Sequence, residues 1–181
     1  MIKELIDTAL LTAVTEVMSY VRTVIRKELE DQGHKLTGAL SRDIEVKIKK
    51  TEAIIWGSVF MLPYFEYVDR RTEAENIPYS RGSGAGKSKV IEGLERFFRL
   101  RGLDAKEALS ASFGTVNKWK KEGRPTKNSF RFSKNGRRTG FIEASIERIE
   151  KEVQGVFESE ADDRVSLAIL RALQRAKEDF R

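Results

Sequence analysis

No cysteine occurs in the 181 residues, and histidine occurs once, as His34. Disulfides, thiolate nucleophiles and zinc–thiolate centres are thereby excluded, and so is a multi-histidine metal site. The lack of cysteine admits an intracellular folding compartment. Long apolar runs are missing too. The most apolar stretch, Leu5 to Ile25, is broken by Asp7, Glu16 and Arg22, whereas a membrane-spanning helix needs about 20 mostly apolar residues. The opening Met-Ile-Lys-Glu-Leu-Ile-Asp lacks the basic-then-apolar order of a secretion signal.

Charge, by contrast, is plentiful and uneven. The net charge is +6. Residues 117 to 138 hold nine Lys/Arg against one acid, Glu122, whereas residues 143 to 181 hold ten Asp/Glu and seven Lys/Arg. A basic middle beside an acidic end suits contact with a polyanion or head-to-tail contact between subunits.

Periodicity predicts an α+β fold: a long N-terminal helix packed on a small antiparallel sheet, further helices, and a helical C-terminus. Apolar residues from Ile2 to Leu29 recur at three- and four-residue steps, and Gly33 offers a left-handed stop. Ile44, Val46 and Ile48 alternate with Glu45, Lys47 and Lys49, and Ala53–Ser58 returns after a polar turn. This predicts a hairpin over about 43–58 with one wet face. Pro63 opens a short helix within 60–72. Ser88 caps a helix to about Leu100 carrying Val90, Ile91, Leu94, Phe97 and Phe98 on one face. Asp104 caps another, with Ala105, Ala108, Leu109, Ser112, Phe113, Val116 and Trp119 aligned, stopped by Gly123 and Pro125. Phe130–Phe132 suggests a short later strand. From Phe141 onward, Ile142, Ile146, Ile149, Val153, Val156 and Phe157 make a helical stripe, and a last helix carries Val165 to Leu173. The expected organisation is one domain over 1–157 and a helical extension over 158–181.

Three segments carry chemical signals. Arg81–Ser88 approaches a phosphate-binding loop, but the glycine that motif requires at its first position is Arg81 here, and no buried strand precedes it. A flexible glycine loop explains it better, although the helix behind Ser88 could draw an anion to its N-terminus. Leu103–Gly123 invites a helix-turn-helix reading around Gly114, but one amphipathic helix accounts for the spacing more simply. Finally, Lys118, Lys120, Lys121, Arg124, Lys127, Arg131, Lys134, Arg137 and Arg138 are interleaved with Trp119, Phe130 and Phe132. Cations neutralise phosphates and aromatics stack on bases, so this segment is the candidate contact for DNA or for an acidic partner. The competing explanation is a solvated basic loop. No nucleophile, base and orienter form a set, and His34 sits where a cation complements a helix end. Neither a cofactor nor a metal is expected.

The order of parts from Leu36 to Asp69 resembles a known pattern. Leu36-Thr37-Gly38-Ala39-Leu40-Ser41-Arg42-Asp43-Ile44-Glu45-Val46 is followed by Ile54-Ile55-Trp56-Gly57 and then Tyr64-Phe65-Glu66-Tyr67-Val68-Asp69. Later, Gly123-Arg124-Pro125-Thr126 leads to Arg138-Thr139-Gly140-Phe141-Ile142-Glu143-Ala144-Ser145-Ile146. This is similar to the neck, or tail-completion, protein family of tailed bacteriophages, over 36–157. Departures are Asp69-Arg70-Arg71-Thr72 in place of the family's Glu-Phe-Gly-Thr, and two helices, Ser88–Leu100 and Asp104–Glu122, in place of a loop. The resemblance implies a non-enzymatic virion protein, assembled in the host cytoplasm. Its copies would form a ring at the portal–tail junction, touching portal or adjacent neck and tail proteins and, non-specifically, packaged DNA. No membrane partner is implied. The alternative is a basic nucleic-acid-binding accessory protein without catalytic activity.

Overall fold

A computed structural model describes residues 2–34, 37–52, 54–80 and 88–152. The glycine-rich loop at 81–87, the stripe positions Val153, Val156 and Phe157, the extension 158–181 and the last predicted helix lie outside the described residues. The chain is α+β and divides into two compact units: residues 1–65 with 140–181, and residues 66–139. Among the described residues, no helix is long and apolar enough to cross a membrane.

In the first unit, α1 (Ile2–Asp31) runs the predicted length. Its buried apolar residues include Ala13, Met18, Val24, Ile25 and Leu29, which recur at helical spacing and form the face turned inward. The inward face also takes two polar residues. Glu28 and Gln32 are buried, and Gln32 Nε2 donates to Glu28 Oε1 at 3.0 Å, one helical turn away. The helix closes through Gly33, with the His34 N–H donating to the Leu29 carbonyl at 2.9 Å. α2 (Ala39–Arg42) buries Leu40, and Arg26 Nε of α1 donates to the Ser41 carbonyl at 2.8 Å.

β1 (Glu45–Lys50) and β2 (Ile55–Phe60) form a two-stranded antiparallel sheet with Val46 opposite Val59 and Ile48 opposite Gly57. Both strands pack on α1. Gly57 is where the helix side chain comes closest: a Cβ there would lie 2.3 Å from Met18 Sδ. The Lys50 ammonium meets the Asp7 carboxylate at 2.8 Å and ties the strand end to α1. Residues 141–152 form a further helix, α6. Its inward face differs from the sequence expectation. Phe141, Ala144 and Ser145 are buried while Ile146 is 49% exposed. The large aromatic ring at Phe141 fills the interior and turns the isoleucines outward or half-way.

The second unit begins inside the short helix α3 (Phe65–Asp69). Ser88 Oγ caps α4 (Lys89–Leu100) by accepting from the Ile91 N–H. Asp104 and Glu107 form a reciprocal capping box at the start of α5 (Ala105–Glu122). α5 runs unbroken through Gly114, as one amphipathic helix should. α4 packs on α5 around Ile77, Ile91, Leu94 and Val116, with Tyr79, Val90, Phe98, Leu109 and Trp119 against them. The inward residues of α5 are Ala108, Ser112 and Val116, whereas Phe113 is 40% exposed. Ser112 lies inside because its hydroxyl donates to the Ala108 carbonyl at 2.6 Å. The short strand expected at Phe130–Phe132 is instead part of a 3-10 turn, Lys127–Phe132. Its groups bond locally, with Ser129 N–H to Thr126 and Ser133 N–H to Phe130, and no neighbouring strand pairs with it among the described residues.

Candidate functional site

All nine candidate cations belong to the second unit. Lys118, Lys120 and Lys121 occupy the last turns of α5, where cations complement the helix dipole. The single acid of the segment, Glu122, is used twice. One carboxylate oxygen faces Lys118 Nζ at 3.8 Å, and the other accepts the Lys127 N–H at 3.0 Å. Lys120 Nζ donates to the Ile77 carbonyl at 3.1 Å. Arg124 and Thr72 exchange two backbone hydrogen bonds, at 2.7 and 2.8 Å. The Arg124 guanidinium donates to the Tyr67 carbonyl at 2.8 Å and lies 5.5 Å from the centre of the Trp119 ring. Burial pulls its pKa downward, because desolvation disfavours the charged form. Arg124 therefore stitches the end of α5 to residues 67–72. Arg138 is also half-buried, and burial, then the charge of Arg101, lowers its pKa.

The remainder of the segment faces outward. Lys121, Lys127, Arg131, Lys134 and Arg137 are exposed, as are Phe130 and Phe132. The Arg131 guanidinium sits 4.7 Å from the centre of the Phe132 ring. The Asn135 carboxamide oxygen accepts from Ser133 Oγ and the Arg137 N–H, shaping a local turn. The nine positions thus separate into two half-buried arginines (Arg124, Arg138), two lysines tied by their ammonium groups to the unit (Lys118 to Glu122, Lys120 to the Ile77 carbonyl), and an outward group that offers positive charge and two phenyl rings.

A second surface, in the first unit, escaped the sequence reading. The hairpin face turned away from α1 is split. β1 presents Glu45, Lys47 and Lys49, and the predicted wet face is found there. β2 and the residue before it present an apolar row: Ile54, Trp56 and Phe60, at 61%, 41% and 49% exposure. Tyr64 is exposed as well. The Lys47 ammonium lies 4.7 Å from the centre of the Phe60 ring. The alternation Ile54, Trp56, Ser58, Phe60 carries the signal, but the polar alternation of β1 by itself implies a wet face for the pair.

Two surface depressions accompany these faces. One, of about 480 Å³, is lined by Glu92, Glu95, Arg96, Arg99 and Leu100 along α4. The other, of about 230 Å³, is lined by Asp7, Leu10, Val14 and residues of the hairpin turn. Neither brings a nucleophile and a base together. Among the described residues, no group of three or more His, Asp or Glu side chains could hold a metal ion. Comparison with protein-family models, with curated proteins and with solved structures finds no match to this chain.

Proposed function

We propose that this chain is a non-catalytic building block of a tailed-bacteriophage particle, joining with its own copies into a ring at the portal–tail junction. The hairpin of the first unit carries this reading. It is a two-stranded sheet with one face on α1 and, on the other, an exposed row of Ile54, Trp56 and Phe60. Exposed aromatic rows of this kind mark contact with another protein. The order of parts supports the same reading. A strand follows Thr37-Gly38, a second strand holds Gly57, and a short helix follows at Phe65–Asp69, as the resemblance to tail-completion proteins implies. The two helices that replace the family's loop form the second unit with its own core. Portal or neighbouring neck and tail proteins are the proposed contacts above and below the ring.

A second reading, nucleic-acid binding without catalysis, rests on the exposed Phe130 and Phe132 among Lys121, Lys127 and Arg131. In a ring these groups would meet packaged DNA or an acidic partner. Negative-stain electron microscopy with light scattering decides between the two. Closed rings of the purified protein, or of the protein mixed with portal, are expected. A monomer at every concentration that binds duplex DNA, with affinity falling steeply as salt rises, would overturn the ring reading in favour of the second.

A further inference from the structure

The backbone of the hairpin indicates how copies meet. Thr51 donates its N–H to the Ile54 carbonyl at 2.8 Å. Antiparallel ladders alternate hydrogen-bonded and non-bonded pairs, so in the observed register Lys49–Trp56, Lys47–Ser58 and Glu45–Phe60 are the bonded pairs. The peptide groups of Ile55, Gly57 and Val59 then face away from β1, and those of Val46, Ile48 and Lys50 face away from β2. Neither set has a backbone partner among the described residues.

The two open edges differ in chemistry. β2 carries no charge, whereas β1 carries Glu45, Lys47, Lys49 and Lys50. Lysines along an edge discourage pairing with a like strand, so β1 is poorly suited to a second β1. It is well suited to β2, because that is the pairing inside the chain, where Lys47 rests on Phe60 and Lys49 lies opposite Trp56. We propose that β2 of one copy adds antiparallel to β1 of the next, repeating between chains the pairing made within each. Peptide groups of Ile55, Gly57 and Val59 would bond those of Lys50, Ile48 and Val46 of the next copy. On the outer face, Trp56 and Phe60 would meet Lys49, Lys47 and Glu45 of that copy. Main-chain bonds supply the affinity in such strand addition and the side-chain rows supply its specificity. Among the described residues each chain has one edge of each kind, so the contact is heterologous, the geometry from which rings close.

This inference rests on the building-block reading and names the contact that reading requires. Val59→Pro removes an outward N–H from the β2 edge, and Ile48→Pro does the same for β1. Neither removes a bond between the two strands, and proline is tolerated at such edge positions. Each variant alone should stay monomeric by light scattering. Mixed in equal amounts they should form a dimer and nothing larger, because one intact edge of each kind remains. Trp56→Ala with Phe60→Ala, both on the exposed face, should weaken assembly at least tenfold. That double variant decides the matter if far-ultraviolet circular dichroism shows either proline variant unfolded. Rings from both proline variants, unaltered by the alanine pair, would overturn strand addition and leave the building-block reading standing. Ile48→Pro dimerising alone through β2 would likewise overturn it. A wild-type chain that never self-associates would overturn the building-block reading itself.

Discussion

Gly123 leaves α5 with φ 77° and ψ −172°, a region that essentially only glycine occupies. A Cβ at this position would stand 2.7 Å from the Thr72 carbonyl oxygen and 3.4 Å from the Ala74 N–H nitrogen, both backbone atoms. The close approach is what lets Arg124 exchange two hydrogen bonds with Thr72. Gly93 differs: it lies in the middle of α4, and a Cβ there meets nothing within 4 Å. Gly123→Ala should therefore destabilise the chain by at least about 1–3 kcal/mol. Gly93→Ala should stabilise it by about 0.5–1 kcal/mol, through the lower entropy of the unfolded helix. Urea denaturation followed by circular dichroism measures both. Equal effects from the two substitutions would refute the assignment. The sequence marked Gly123 as a helix stop, but not the pressing of the Thr72 carbonyl against it, because Thr72 lies far away along the chain.

At the scale of elements, α1 and α6 are joined by a hydrogen bond from the Tyr20 hydroxyl to the Glu152 carboxylate, with Arg148 Nε donating to the other carboxylate oxygen at 3.2 Å. The Tyr20 hydroxyl, and then Arg148, hold the Glu152 carboxyl below its ordinary value of 4.5. The same bond raises the Tyr20 phenol above 10.0. A carboxyl lowered by folding adds stability that is complete above its ordinary value and lost as the pH falls through the lowered one. A phenol raised by folding adds stability that is complete below its ordinary value and lost as the pH rises through the raised one. The tether therefore acts on a broad plateau around neutrality. Tyr20→Phe should lower the melting temperature on that plateau, and its difference from wild type should shrink towards both extremes of pH. Melting curves across the pH range check this, and a difference independent of pH would contradict it. Element boundaries were largely legible, through Ser88, Asp104, Gly33 and Gly123. The inward faces were less so. Ile142, Ile146 and Ile149 make the more regular stripe, yet Phe141 holds the interior of α6, since one large ring fills more volume than a half-turned isoleucine. Phe130-Arg131-Phe132 alternates like a strand, but without a partner strand its backbone bonds locally.

At the scale of the molecule, residues 66–139 form a unit with a core of Ile77, Ile91, Leu94 and Val116, and along the sequence they fall between the two segments of the first unit. Ile91 is 1% exposed. Ile91→Ala should cost about 2–5 kcal/mol, a large share of what one small core supplies. Its effect should fall on the second unit, so that unfolding becomes two-stepped while amide protons of α1 and the hairpin keep their protection. Hydrogen exchange resolved by residue is the measurement, and uniform loss of protection would show a single cooperative core instead.

Composition and local spacing by themselves determined that this chain cannot build thiol or multi-histidine chemistry, that it is α+β, and where its helices begin and stop. These are properties of neighbouring residues, and caps, turns and periodicities act over a few positions of chain. Only the tertiary structure decided which cations turn inward and which outward, that Trp56 and Phe60 share an exposed face, and that both edges of the hairpin stand open among the described residues. Those outcomes depend on which residues far apart along the chain exclude water from one another.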